Sequence, residues 1–146
     1  MNTLIDAKWC RERGACYTDR HLAKLFDRPM GVLEVLTRRD GRWKRVPARD
    51  RLWVFFLAAP VPLQMTVANR AADRQVRARC LHCDIDAVER RAARWLSGED
   101  RSRAATCTAA AASKESEQAR RVERRAQLAD AIQVLAAEAA KETNHG

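Results

Sequence analysis

The chain has 146 residues, 47% of them hydrophobic, which is enough for one folded domain with a buried core. Its 28 Lys and Arg residues outnumber its 19 Asp and Glu residues, so the formal net charge is +9. Five cysteines are an odd number without the spacing of a disulfide framework, and the first residues, MNTLIDAKWC, lack the apolar run of a signal peptide; this argues against a disulfide-built secreted protein. We expect a protein of the reducing cytoplasm with free thiols.

The positive charge is unevenly distributed along the chain. Residues 1–83 contain 17 basic and 8 acidic side chains, whereas residues 84–146 contain 11 of each. The whole excess therefore lies in the first part of the sequence. Such a field attracts anionic partners, which could be nucleic acid, an acidic protein face or a phospholipid surface, although it also serves solubility without any partner.

Three short helices are predicted before residue 38. The first covers residues 4–13 and ends at Gly14. Thr18 is the predicted N-cap of the second, TDRHLAKLF, whose apolar side chains recur at the three-and-four spacing of a buried helix face. Asp27, followed by a proline two positions later, predicts the start of a third helix that runs to about Thr37.

Residues 38–51, RRDGRWKRVPARDR, contain seven basic side chains, two acidic ones and one tryptophan. The composition predicts an exposed turn. The dipeptide Asp40-Gly41 would suit a hairpin, but the flanking residues lack the alternation of polar and apolar side chains that paired strands need.

Residues 52–63, LWVFFLAAPVPL, have no charged or polar side chain and must lie inside the fold. They are too few to span a bilayer, which takes about 20 residues in a helix, and the two prolines would interrupt such a helix. A buried helix that opens after Pro47 is the preferred interpretation, because helices are predicted on both sides. A strand is the alternative, since Val54, Phe55 and Phe56 are good strand formers.

The remaining sequence predicts long helices. One extends from Pro62 to about Cys83, and a capping box at Asp86 starts another that ends at Gly98. Residues 100–141 predict one long helix, or two with a kink near residues 113–116. Its expected buried stripe consists of Val122, Ala129, Ile132, Leu135 and Ala136.

The predicted fold class is therefore all-α, a compact bundle of six or seven helices with a long C-terminal helix. Residues 1–98 form the predicted helical body. Residues 99–146 form the C-terminal helix, which packs either on that body or on a second copy of the chain as a homodimer.

Metal and catalytic sites have little support in the sequence. Cys80 and Cys83 form a CxxC pair around His82, but the pair lies in a predicted helix, and zinc sites need four ligands that converge from turns. The three histidines are isolated, and a nucleophile partner for them is not fixed by sequence. We expect no cofactor, no metal and no enzyme, with the cysteines as small apolar residues in helix contacts.

The basic segment is the best candidate for a binding surface. Its cations could hold phosphates while the indole stacks on a base or enters a protein pocket. Alternatively, the segment is a solvated turn whose tryptophan folds back onto the core. The predicted partner-binding residues are Arg38, Arg39, Arg42, Trp43, Lys44 and Arg45, extended by Arg70, Arg74 and Arg77 on the following helix.

Three segments follow one another in an order shared with known proteins: GAC at residues 14–16, DRLWV at 50–54 and ERRAARWLSGED at 89–100, followed by an Ala/Arg-rich helix. They resemble a group of small, helical, Ala-rich bacterial and prophage proteins of the immunity-protein type. The chain departs from that group in its shorter alanine repeats and fewer acidic residues. The resemblance implies a non-enzymatic protein that binds and neutralises another macromolecule, and it assigns no functional residues.

The leading hypothesis is a protein-binding inhibitor. It would be an immunity-type protein, or a phage or prophage factor that blocks a host defence complex such as CRISPR machinery. The expected partner is an acidic or nucleic-acid-associated protein complex, and no membrane is expected. The alternative is a nucleic-acid-binding accessory protein that uses the basic surface.

Overall fold

The computed structural model describes residues 3–78, 90, 93–94, 97, 99 and 117–145. Within these residues the protein is mostly helical, with six α-helices, one 3-10 helix and a two-stranded sheet. The predicted helical class and the long C-terminal helix are therefore confirmed. The chain divides into two compact units, Met1–Ala59 and Pro60–Gly146. The predicted boundary at residue 98 lies outside the described residues.

The first unit consists of short elements. In chain order they are β1 (Leu4–Ile5), α1 (Ala7–Glu12), α2 (Asp19–Leu25), β2 (Met30–Gly31), α3 (Val32–Thr37), a 3-10 helix (Gly41–Arg45) and α4 (Ala48–Ala58). The two strands are antiparallel, with Leu4 opposite Gly31 and Ile5 opposite Met30.

The predicted cap of α2 is confirmed. Thr18 Oγ1 accepts a hydrogen bond from the backbone N–H of His21 at 3.2 Å, which satisfies one of the free donors in the first turn. Asp6 caps α1 in the same way, since its Oδ1 accepts from Trp9 N–H at 2.7 Å. Gly14 follows α1 with a φ of 75°, in the left-handed region that glycine adopts without steric cost.

The predicted first residues of two helices are wrong, because short strands occupy those positions. Residues 4–5 belong to β1 and not to the first helix, and the third helix begins only at Val32, after β2. The pairing buries Ile5 and Met30, which are 0% and 1% exposed. A ladder of two residues is too short to produce a periodic pattern, so the sequence could not reveal it.

The apolar segment is helical and not a strand, as the preferred interpretation predicted. α4 begins directly after Pro47, which is its N-cap, and ends before Pro60. No hairpin forms at Asp40-Gly41. Instead Gly41, with a φ of 52°, opens the 3-10 helix.

One apolar cluster holds the first unit together. It is formed by Ile5, Trp9, Cys10, Leu22, Leu25, Met30, Val35, Trp43, Val54 and Ala58. Two edge-to-face ring pairs add to it, Trp9 with Trp53 and Phe26 with Trp43, at centroid distances of 5.9 and 5.2 Å. Burial, helped by the nearby Asp6 carboxylate, raises the pKa of the Cys10 thiol to about 11, so that thiol is protonated and unreactive at neutral pH.

Two long helices form the described part of the second unit. They are α5 (Val61–Ala78) and α6 (Glu117–Asn144), and they pack against each other. The end of the predicted helix at Cys83, the predicted helix 86–98, the possible kink at 113–116 and the CxxC pair all lie outside the described residues. Neither α5 nor α6, nor any other described helix, is long and apolar enough to cross a bilayer.

The predicted buried stripe of α6 is wrong. Val122 is 54% exposed and Ala129 and Ala136 are exposed, while Ile132 and Leu135 are half-buried. The residues that α6 buries are Glu123, Gln127, Leu128, Ala131 and Val134. Two of these residues are polar, and Glu123 is bonded to Arg74 of α5. A count of apolar residues does not detect such positions.

Candidate functional site

The basic segment folds so that its tryptophan and its cations separate. In a 3-10 helix, side chains three positions apart share a face. Trp43 and Val46 accordingly turn inward, and they are buried and half-buried. Arg42, Lys44 and Arg45 are exposed.

Trp43 is part of the core and not of the surface, which corrects its inclusion among the partner-binding residues. Its side chain is 4% exposed, and its Nε1–H donates to the backbone carbonyl of Leu25 at 2.8 Å. The ring also meets the edge of Phe26. An indole that is 4% exposed and has its donor committed offers no surface for a base to stack on, so the tryptophan folds back onto the core, as in the second interpretation.

The buried side chain of Arg51 fixes the backbone of the basic segment. It is 1% exposed, and its guanidinium donates to three backbone carbonyls: Val35 at 2.7 Å, Val46 at 3.2 Å, and Trp43. Burial, together with the positive charge of Arg39, lowers the pKa of Arg51 to about 10, so it remains charged at neutral pH. One side chain thus connects α3 to the 3-10 helix and to the residue that follows it.

Sequence reasoning missed this role, because it counted Arg51 among the exposed cations. The available signal was its position. Arg51 directly precedes the apolar run of α4, on a helix that was itself predicted to be buried. A cation at the start of a buried helix needs acceptors, and the carbonyls of neighbouring turns provide them.

An open cleft lies between the start of α2 and the 3-10 helix. Its volume is about 480 Å³. One side is formed by Tyr17 and His21, whose rings meet edge to face at 4.6 Å. The cleft is also lined by Gly41, Arg42, Lys44, Arg45 and Val46.

Tyr17 is fixed in the cleft by Asp50. Its hydroxyl donates to Asp50 Oδ2, and burial together with this hydrogen bond raises the pKa of Tyr17 above its usual value. The phenol is therefore neutral, with its proton committed. Its ring lines the cleft as an uncharged surface.

The three cleft cations, Arg42, Lys44 and Arg45, have no ion-pair partner among the residues that the structure describes. Arg38 differs, because it pairs with Asp27 and Asp40 at 3.0 and 2.7 Å and holds the pKa of both carboxyl groups below the usual range. Arg39 donates to the backbone carbonyls of Leu36 and Arg38, both at 3.0 Å. The cleft therefore carries three cations that no described carboxylate balances.

The predicted extension along α5 is neutralised within its own unit. Arg74 binds both carboxylate oxygens of Glu123 at 3.1 Å and Asp130 at 2.5 Å, and Arg70 contacts Asp130 and Gln133 at 3.4 and 2.7 Å. Burial alone would lower the pKa of Arg74, but these hydrogen bonds outweigh it and raise that pKa. The side chain of Arg77 lies outside the described residues.

The described residues contain no group of three His, Cys, Asp or Glu side chains that could hold a metal ion. His21 lines the cleft, whereas Cys10 is buried elsewhere and Cys16 is exposed. Cys80, His82 and Cys83 lie outside the part of the chain that the structure describes.

Comparison with protein-family models, with curated proteins and with solved structures finds no match to this chain.

Proposed function

We propose that the chain is a non-enzymatic inhibitor that binds an acidic or nucleic-acid-occupied face of a partner complex through the cleft. The observation that carries this proposal is the group of three exposed, unpaired cations on one short 3-10 helix. Exposed charge of one sign accelerates encounter with a partner of the opposite sign and fixes its orientation. Arg51 bonds the backbone of this 3-10 helix to α3, so the Cα positions of the three cations are fixed.

An immunity-type role, or a phage or prophage factor that blocks a defence complex, is the specific form of this proposal. The sequence resemblance to immunity-type proteins supports it. Because Trp43 and Arg51 are buried and serve the fold, the exposed residues would make the contact with the partner.

Reversal of two cleft charges should abolish partner capture. The immobilised chain should recover one stoichiometric partner from a bacterial lysate, and Arg42→Glu with Arg45→Glu should reduce recovery at least about tenfold, because like charges brought together at an interface cost several kcal/mol. Quantitative mass spectrometry of the eluates measures the change.

The matched control is Arg120→Glu with Arg121→Glu. These exposed arginines on α6 have Glu117 as their ion-pair partner, at 4.0 and 3.9 Å, and the pair makes the same change in net charge. Recovery should stay near that of the unmodified chain, and both double variants should keep the far-ultraviolet helical spectrum. Equal losses in the two variants would contradict the proposal.

Direct nucleic-acid binding is the second candidate function, and the unpaired cations also favour it. In a gel shift, a strand should be retained at low salt and released steeply as salt rises. No retention at low salt would remove this candidate.

A further inference from the structure

We propose that the cleft binds a nucleotide, with the phosphate on the 3-10 helix and the base against Tyr17 and His21. This inference rests on the proposed function, because it takes the same cleft as the contact surface and names the chemistry of its ligand. Of the two anionic groups that the cleft cations could bind, an acidic protein side chain and a phosphate, it selects the phosphate.

The cationic side of the cleft favours phosphate over carboxylate. Arg42 and Arg45 each carry a planar fork of N–H donors that can bind two oxygens at once, and Lys44 adds a compact charge. A phosphate monoester offers three acceptor oxygens and close to two negative charges, whereas a carboxylate offers two oxygens and one charge. Among the described residues that line the cleft there is no Asp or Glu to repel an anion.

Tyr17 and His21 form the aromatic part of the cleft lining, against which a flat ring would lie. The phenol proton of Tyr17 is committed to Asp50, so the ring contributes carbon surface and not a free donor. His21 stands edge-on to it, with centroids 4.6 Å apart. Stacking of a base on an aromatic side chain is a common, sequence-tolerant contact in proteins that bind single strands.

The size of the cleft agrees with such a ligand. Its volume of about 480 Å³ lies within the range of about 300–1,000 Å³ typical of small-molecule sites. A phosphate ion alone would leave most of this space empty, and a phosphate joined to a base and a sugar would occupy it. The open shape admits either a free nucleotide or one nucleotide of a strand, which share the same chemistry.

Calorimetric titration of the full chain at low ionic strength tests the inference. The probes are AMP, adenosine, inorganic phosphate and a short single strand of adenine nucleotides. AMP should bind at least about tenfold more tightly than adenosine or phosphate, because each of these lacks one half of the contact. Arg42→Gln with Arg45→Gln should weaken AMP binding at least about tenfold.

Substitutions at Tyr17 separate the ring from its hydroxyl. Tyr17→Phe keeps the ring and should leave AMP binding within about twofold, whereas Tyr17→Leu removes the ring and should weaken it at least about fivefold, as expected for the loss of one stacking contact. Both variants remove the hydrogen bond to Asp50, so Tyr17→Phe controls for its loss. Tyr17 also packs against the core cluster, so the far-ultraviolet helical spectrum of Tyr17→Leu should match that of the unmodified chain.

The titration with the single strand shows whether the bound nucleotide is free or part of a nucleic acid. A strand that binds at least tenfold more tightly than AMP would indicate nucleic acid, and comparable affinities would indicate a free nucleotide; both support the inference. Equal affinities for AMP and adenosine, or no binding of either AMP or the strand, would overturn it. Partner capture that still depends on Arg42 and Arg45 would then leave the proposed function intact with an acidic protein partner.

Discussion

Replacement of Arg51 with Met should lower the free energy of unfolding by about 3–5 kcal/mol, because three charge-assisted hydrogen bonds are lost together. The carbonyls of Val35, Trp43 and Val46 would lose the guanidinium as a donor, and the Trp43 carbonyl would keep its bond from Val46 N–H at 3.1 Å. Methionine fills similar space with an apolar side chain, so the loss measures the hydrogen bonds more than the volume. A loss of this size is a large fraction of the 5–15 kcal/mol that typically stabilises a domain.

Urea unfolding followed by far-ultraviolet circular dichroism measures this change. Arg49→Met is the matched control, because Arg49 is two residues earlier on the same helix, is exposed, and pairs with Asp50 at 3.2 Å. It should change stability by no more than about 0.5 kcal/mol. Arg51→Lys should also destabilise, because one ammonium group cannot reach three separate carbonyls. A loss below about 1 kcal/mol for Arg51→Met would contradict the assigned role.

Replacement of Arg74 with Met should cost about 2–4 kcal/mol, somewhat less than the full penalty for breaking a buried ion pair because Arg74 is partly exposed. Glu123, at 5% residual exposure, would lose both of its bonds to the guanidinium. Gln127 Nε2, at 3.2 Å, would remain as a donor to it. A buried carboxylate without a cation is unstable, and α5 and α6 would then pack less firmly.

A double-mutant cycle with Glu123→Met isolates this pair. The double variant should be less destabilised than the sum of the single ones by about 1–3 kcal/mol, because removal of both charges leaves neither uncompensated. Arg120→Met is the control. It removes an exposed arginine from α6, the helix that contains Glu123, and should have little effect on stability. Additive losses would show that Arg74 and Glu123 act independently.

Much of the helical framework could be predicted from local chemistry. The Thr18 cap, the break at Gly14 and the helix that follows Pro47 each depend on neighbouring residues, so the sequence contains the necessary information. The pairing of β1 with β2 depends on residues far apart in the chain and is only two residues long. No local pattern encodes it.

The same distinction applies to the site. The basic segment was identifiable from composition, but whether each cation is free depends on which carboxylates the fold brings near. Arg38 and Arg74 acquire such partners, and Arg42 and Arg45 acquire none within the described residues. Trp43 was ambiguous for a similar reason, since its burial depends on Phe26 and the Leu25 carbonyl.

The most direct test of the cleft as a nucleotide-binding surface is a nuclear magnetic resonance titration of the uniformly ¹⁵N-labelled chain with AMP. The account predicts that the largest amide shifts occur at Gly41–Arg45 and around Tyr17 and His21, and that they disappear in Arg42→Gln with Arg45→Gln. Shifts that are largest on α6, or that persist unchanged in the double variant, would contradict it.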